Sequence, residues 1–300
     1  MARKLLTIFG ATGNQGGSVI QTILSNPSLS STYQIRAVTR DPSKPSSQEL
    51  ASKGADLVKA DLKDIESVKK AIEGSYGVFA VTNFWEIQTK EGEFQQGKNI
   101  ADACLATGTK HLVWSSLPYV TKLTDGVLAH TEHFDSKAMV EEYIEEKKGS
   151  MIASYFMPAF FMSNFQTFIR QSADGVPELA TPIRADSPWP LIDQRADSGK
   201  YVMGIFEAGD TANGAHVNAV SEWTTVEMKT ISAEDYAASL PKQIAEELKE
   251  TLVLISDYSY YGKGMEKEQA ESDKFLLKGA SRTSLKQYIK NNEPWQWQLN

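Results

Sequence analysis

The stretch that most restricts this chain is LLTIFGATGNQGGSVIQTIL, residues 5–24, an apolar run that breaks into glycines. Leu5–Phe9 has the pattern of a strand buried on both faces, and Ser18–Leu24 carries Val19, Ile20, Ile23 and Leu24 at helical spacing. Between them Gly10, Gly13 and Gly16 follow a G-x-x-G-x-x-G spacing. Glycine permits the tight turn and lets backbone N–H groups approach a pyrophosphate, toward which the next helix points its positive end. A glycine triplet alone is weak; its strand–turn–helix setting makes it specific. Gly10, Thr12, Gly13, Asn14, Gln15 and Gly16 are therefore expected to hold a dinucleotide, and Gly17 to ease helix–strand packing. The competing reading is that the glycines only tighten a turn.

The rhythm continues. YQIRAVT (33–39), ADLVKAD (55–61), YGVFAVT (76–82), HLVWSS (111–116) and MIASYFMP (151–158) read as strands. Helices are expected over Ser46–Lys53, over 64–74 with Asp64 as N-cap and Gly74 as stop, over Glu91–Thr107 and over Phe134–Lys147. Alternation of this kind predicts an α/β fold, a doubly wound parallel Rossmann sheet. Past Pro158 the rhythm changes, and a second, smaller α/β lobe is expected. The division is a Rossmann domain over residues 1–155 and a discontinuous lobe over 156–300. Residues 197–210 return a helix to the first domain, HVNAVSEW (216–223) forms a strand, SAEDYAASLPKQIAEEL (232–248) a helix, and 281–292 a terminal helix.

Composition excludes several functions. The formal charge of −7 and pI near 5.3, with no Lys/Arg-rich block, argue against direct nucleic-acid binding. The single cysteine, Cys104, cannot form a disulfide within the chain and fits a reducing, cytoplasmic or nuclear compartment; its mid-helix setting reads as core. No run approaches the roughly 18 apolar residues of a membrane span, and the N-terminus lacks a signal-peptide pattern, so a soluble intracellular protein is expected. Partners are expected to be a dinucleotide and a regulatory protein, with the chain a monomer or homodimer.

After the second strand, NAD-selective folds place an acid. Here AVTRDPSK supplies Arg40 and Lys44, a cationic pair suited to a 2′-phosphate, so NADP(H) is preferred and NAD(H) stays possible. Asp41 could take the ribose role or pair with Arg40. Asp61–Leu62 are placed at the adenine, and Thr82–Asn83–Phe84 at the ribose and nicotinamide.

FGATGNQGGSV, AVTRDPSK, VTNFWE, QGKNIADA, HFDSKAMVEEY and SAEDYA, in this order, resemble the NmrA-like family of atypical short-chain dehydrogenase/reductases, within it the HSCARG-type branch. The resemblance implies NADP(H) binding, and redox sensing or transcriptional co-regulation without efficient turnover. It carries the cofactor contacts to Gly10–Gly16, Arg40, Lys44, Asp61, Thr82–Phe84, Lys137, Pro158, Phe160 and Phe161. Gln95 departs from it, standing where that branch has a lysine; Lys98 lies on another face of the helix.

Active reductases of this class carry Tyr-x-x-x-Lys. Here HFDSK puts His133 four residues before Lys137, on one helical face. Lys137 is expected on the ribose. His133 is either a proton donor, with Ser115 or Ser116 binding a carbonyl, or a solvent-facing helix-start residue. The alternative function is thus an NADPH-dependent reductase of a carbonyl, quinone or enone. His111, His130 and His216 have no assigned role, and no metal-ligand spacing is present. In SYFMPAFFMSNF (154–165), Phe156 is expected in the core and Phe160–Phe161 at the crevice. The tail tryptophans Trp295 and Trp297 are expected to dock.

Overall fold

The computed structural model describes residues 2–171, 174 and 176–293; the tail that carries Trp295 and Trp297 lies outside them. Along the chain β1 (Lys4–Ile8) and α1 (Asn14–Ser25) are followed by β2 (Tyr33–Thr39), β3 (Asp56–Lys59), β4 (Gly77–Ala80), α2 (Lys90–Thr107), β5 (His111–Ser115), α3 (Glu132–Lys147) and β6 (Ile152–Pro158). Then come β7 (Phe160–Phe161), β8 (Ile169–Gln171), β9 (Pro177–Thr181), β10 (Trp189–Ile192), α4 (Ser198–Ala208), β11 (His216–Ala219), β12 (Glu222–Thr224), β13 (Lys229–Thr230) and α5 (Lys242–Val253).

Seven strands form one parallel sheet in the order β11-β6-β5-β4-β1-β2-β3. Helices cover its faces, so the central strands are largely apolar and β4 and β5 are buried throughout. Trp114, Tyr155, Phe79 and Phe156 are wholly buried in this core. Cys104 is buried too, and burial pushes its thiol up to about 12, which leaves it inert. The strand order reverses at β1, which lies between β2 and β4. That reversal opens a crevice at the carboxyl ends of these strands. Two three-stranded sheets, β12-β10-β7 and β13-β9-β8, stand beyond it.

Local chemistry explains the element ends. Asp64 accepts the Glu66 N–H at 3.0 Å and starts the helix Ile65–Ile72. Gly108, at φ +69°, closes α2 in the left-handed region. The returning helix, α4, lies on α1 so closely that a Cβ at Gly199 would stand 2.3 Å from the Ser18 carbonyl oxygen. Ser284 and Gln287 build a capping box for the terminal helix Leu285–Asn291.

Two expectations need correction. Residues 216–223 are not one strand. β11 extends the large sheet beside β6, the chain then turns at Val220–Ser221, and β12 pairs antiparallel with β10. Residues 232–248 are not one helix either. Ser232 caps Ala233–Ala238, and α5 begins after Pro241, whose ring cannot continue a helix.

His111 is a buried core histidine. Its Nε2 lies 2.8 Å from Ser154 Oγ, and that hydroxyl donates to the Ala212 carbonyl. Ser154 must therefore accept from Nε2–H, which leaves His111 Nδ1 without a partner. Burial pushes the imidazole down to about 4 from 6.5. Between these values the unfolded chain binds the proton and the folded chain does not. Stability attributable to His111 is therefore intact above pH ~6.5 and falls by about 3 kcal/mol as the pH drops toward 4. His130 and His216, raised by Glu250 and Glu141, act in the opposite sense. Urea unfolding from pH 7 to 5 is expected to show a steeper loss in the parent than in His111→Asn; equal slopes would contradict the assignment.

Candidate functional site

A cleft of about 760 Å³ opens at the carboxyl ends of the central strands. Its lining includes Gly10, Thr12, Gly13, Asn14, Gln15, Gly16, Arg40, Lys44, Asp61, Leu62, Thr82, Asn83, Phe84, Ser115, His133, Lys137, Pro158, Phe160 and Phe161. The fold thus brings every expected site residue together. Ser116 is the exception among the weighed candidates. It is buried, and its hydroxyl donates to Glu141 Oε2 at 2.6 Å, away from this cleft.

The glycine loop forms the floor. Gly10 has φ +62°, and a Cβ on Gly16 would lie 2.4 Å from the Gly10 carbonyl oxygen and 2.6 Å from that of Phe9. At Gly17 the nearest atom would be 3.4 Å away, an ordinary contact. Close packing is therefore enforced at Gly16 rather than at Gly17, where the sequence placed it. Gly13 caps α1 without a side-chain bond, and the first turn holds no acid. The first N–H groups of α1 stay available to an anion, so the loop fits a pyrophosphate.

The charged groups are placed differently from the sequence expectation. Arg40 grips Glu86 with two hydrogen bonds, 2.7 and 3.1 Å, and does not pair with Asp41. Asp41 instead accepts the Ser43 N–H and hydroxyl at 2.9 and 2.6 Å, which lowers its pKa. Lys137 is buried and forms an ion pair with Glu93, which is wholly buried itself. Thr82 and Ser136 donate to the same carboxylate, Thr82 at 2.7 Å, and Lys137 Nζ also reaches Thr82 Oγ1 at 3.2 Å. Ser115 donates to Gln15 Oε1 at 2.7 Å, so two expected ligand contacts meet each other. Gln95 holds Asn99 at 2.9 Å, and Lys98 pairs with Asp102; neither lines the cleft, although Gln96 does.

His133 is not a solvent-facing helix end. Its side chain is 15% exposed, and its Nδ1 lies 2.5 Å from Glu247 Oε1 on α5. The same carboxylate oxygen accepts the His133 backbone N–H at 2.7 Å. The imidazole rests against Trp85, Phe84 and Phe134, with centroids 5.2, 6.0 and 4.6 Å away. One turn earlier His130 Nδ1 meets Glu250 at 2.6 Å, which raises its pKa. His130, Glu246 and Glu250 bring ligand-type atoms within 4.8 Å of one another, with His130 Nδ1 already spent on Glu250. The H-x-x-H and E-x-x-E spacings thus pair in antiparallel order and dock α5 over the cleft. Leu248 and Leu252 of α5 join Phe160, Phe161, Phe168 and Tyr260 in its apolar lining. Phe156 stays in the core.

Sequence reasoning missed three acids, Glu86, Glu93 and Glu247. Only the matched histidine and glutamate spacings offered a signal, and that signal becomes specific only once α5 and α3 are known to touch.

The NmrA-like family profile matches residues 2–289. The chain is 34% identical to the NmrA-like family domain-containing oxidoreductase malD of Malbranchea aurantiaca, over 75% of this chain and 70% of that protein. It is likewise 34% identical to hkm9 of Aspergillus hancockii, which carries the same description, over 74% and 69%. Among solved structures, Nmra, a negative transcriptional regulator in complex with NAD, superposes with a TM-score of 0.78 at 18% identity, covering 98% of this chain and 96% of that one. The NADPH-dependent quinone oxidoreductase QOR2 of Escherichia coli, in complex with NADPH, gives 0.72 at 19% identity, over 95% and 99%. By the reach of the profile and by the fungal relatives, the chain belongs to the NmrA-like family.

Proposed function

We propose that this protein is an NADP(H)-dependent oxidoreductase that reduces a polarised double bond, a carbonyl, quinone or enone, with His133 as the proton donor. The observation that carries this is the His133–Glu247 pair on the cleft wall. Glu247 engages Nδ1, fixes the ring and offsets the charge of an imidazolium, and Nε2 is the nitrogen left to deliver a proton. The uncapped start of α1 and the glycine loop hold the pyrophosphate, and Arg40 and Lys44 favour a 2′-phosphate. Lys137 spends two N–H groups on Glu93 and Thr82, which leaves a third for a ribose hydroxyl. Reduced nicotinamide, when bound, supplies the hydride. The apolar wall of Phe160, Phe161 and Tyr260 excludes water and suits a flat substrate. That malD and hkm9 are described as oxidoreductases, and that Nmra and QOR2 are complexed with NAD and NADPH, supports the reading.

A second reading is a redox-sensing regulator that binds NADP(H) in the same cleft without efficient turnover. It is favoured by the neutralisation of Lys137 by buried Glu93, in a site with no phenol four residues before the lysine. Both readings assume a dinucleotide-holding domain over residues 1–155 and a smaller, discontinuous lobe over 156–300, part of which returns to the first domain. The test is NADPH oxidation against a panel of quinones, enones and carbonyls. Turnover above background is expected; dinucleotide binding with no turnover on the whole panel would favour the regulator.

A further inference from the structure

We infer that Glu86 sets the selectivity between phosphorylated and unphosphorylated dinucleotides by competing with the 2′-phosphate for Arg40. This rests on the reading of the cleft as a dinucleotide site.

Arg40 follows β2, and Glu86 lies on the short helix Phe84–Ile87 that follows β4. β2 and β4 flank β1, so the pair passes over the carboxyl end of β1 and the glycine loop. Both side chains line the cleft. Two hydrogen bonds, 2.7 and 3.1 Å, occupy the guanidinium fork with a planar carboxylate, the geometry in which it would take a phosphate. The pairing raises Arg40 and lowers Glu86, which is further held charged by Asn83 and Lys44. Glu86 is therefore an internal stand-in for the anion Arg40 would bind.

The pair is also easy to open. The two side chains are 71% and 49% exposed, and exposed ion pairs contribute little. A phosphate monoester carries between one and two negative charges and three acceptor oxygens, so it outbids one carboxylate for the same fork. Binding of a 2′-phosphate must first release Glu86, a cost that a dinucleotide with a free 2′-hydroxyl does not incur. The charge of Asp61 also acts on Arg40.

The experiment is a binding titration by intrinsic fluorescence, with NADPH, NADH and the fragments adenosine 2′-monophosphate and adenosine as probes, on the parent chain and on Glu86→Gln. Removing the carboxylate charge is expected to tighten NADPH and adenosine 2′-monophosphate by about three- to tenfold, with NADH and adenosine changed less than twofold. The gain is expected to vanish in an Arg40→Ala background. Unchanged or weakened binding of the 2′-phosphates by Glu86→Gln would overturn the inference, since Glu86 would then be idle or would hold Arg40 in place for its ligand. Failure of the parent to bind any dinucleotide would overturn the cofactor reading itself, and this inference with it. Binding of both dinucleotides by the parent with an unchanged ratio in the variant would overturn this inference alone.

Discussion

Lys137→Met is expected to lower the free energy of unfolding by about 3–5 kcal/mol, the range found when a buried ion pair loses one partner. Glu93 is wholly buried, and its carboxylate meets the Lys137 ammonium and the hydroxyls of Thr82 and Ser136. Without the ammonium, a charged carboxylate remains inside the protein with two neutral donors. Removing both charges avoids that state, so the double variant Glu93→Gln/Lys137→Met is expected to recover most of the loss. Urea unfolding of the parent, the two single variants and the double variant measures the coupling. A loss below about 1 kcal/mol in Lys137→Met would show that the lysine is not what holds Glu93. The result also bears on function. A lysine serving only a cofactor ribose would cost binding when removed and leave the unliganded protein as stable as before.

The second large effect concerns turnover. His133→Ala is expected to lower kcat/KM for the best substrate of the panel by about 100- to 10,000-fold, the contribution of a positioned proton donor. The affinity for NADPH is expected to stay within about twofold of the parent, since the proposal gives His133 the proton and not the dinucleotide. Glu247→Gln keeps the shape of the pair and removes the charge that offsets an imidazolium. It is expected to reduce kcat less severely and to displace the pH profile of kcat/KM, which a merely structural contact would leave in place. Losses under about threefold in His133→Ala would assign the proton to water and His133 to the wall.

The parallel sheet was legible because its signals are local. Strand and helix periods, the caps at Asp64 and Gly108 and the three loop glycines each act within a few residues of chain. The ends of β2 match the sequence reading residue for residue. Beyond Pro158 the same rules were less informative. A strand-like run was divided between two sheets at Val220–Ser221, because pairing partners over sixty residues away in β6 and over thirty away in β10 decide where a strand belongs, and a helical run was cut at Pro241.

In the candidate site, the gathering of the strand-end residues at the cleft followed from topology, whereas that of Glu86, Leu248, Leu252 and Tyr260 did not. In a doubly wound sheet all strand ends on one side face the same crevice, so Gly10, Arg40, Asp61, Thr82, Ser115 and Pro158 had to converge. What each of them touches did not follow. Arg40 bonds Glu86 across the end of β1, Lys137 is neutralised by Glu93 from the neighbouring helix, and His133 is oriented by Glu247 from a helix more than a hundred residues on. The sequence by itself determined the parallel-sheet scaffold and the strand-end residues of the cleft, because periodicity and glycine placement are properties of neighbouring residues. Only the tertiary structure decided the partners of the chemistry, because a carboxylate acts over a few ångströms of space, whatever its separation along the chain.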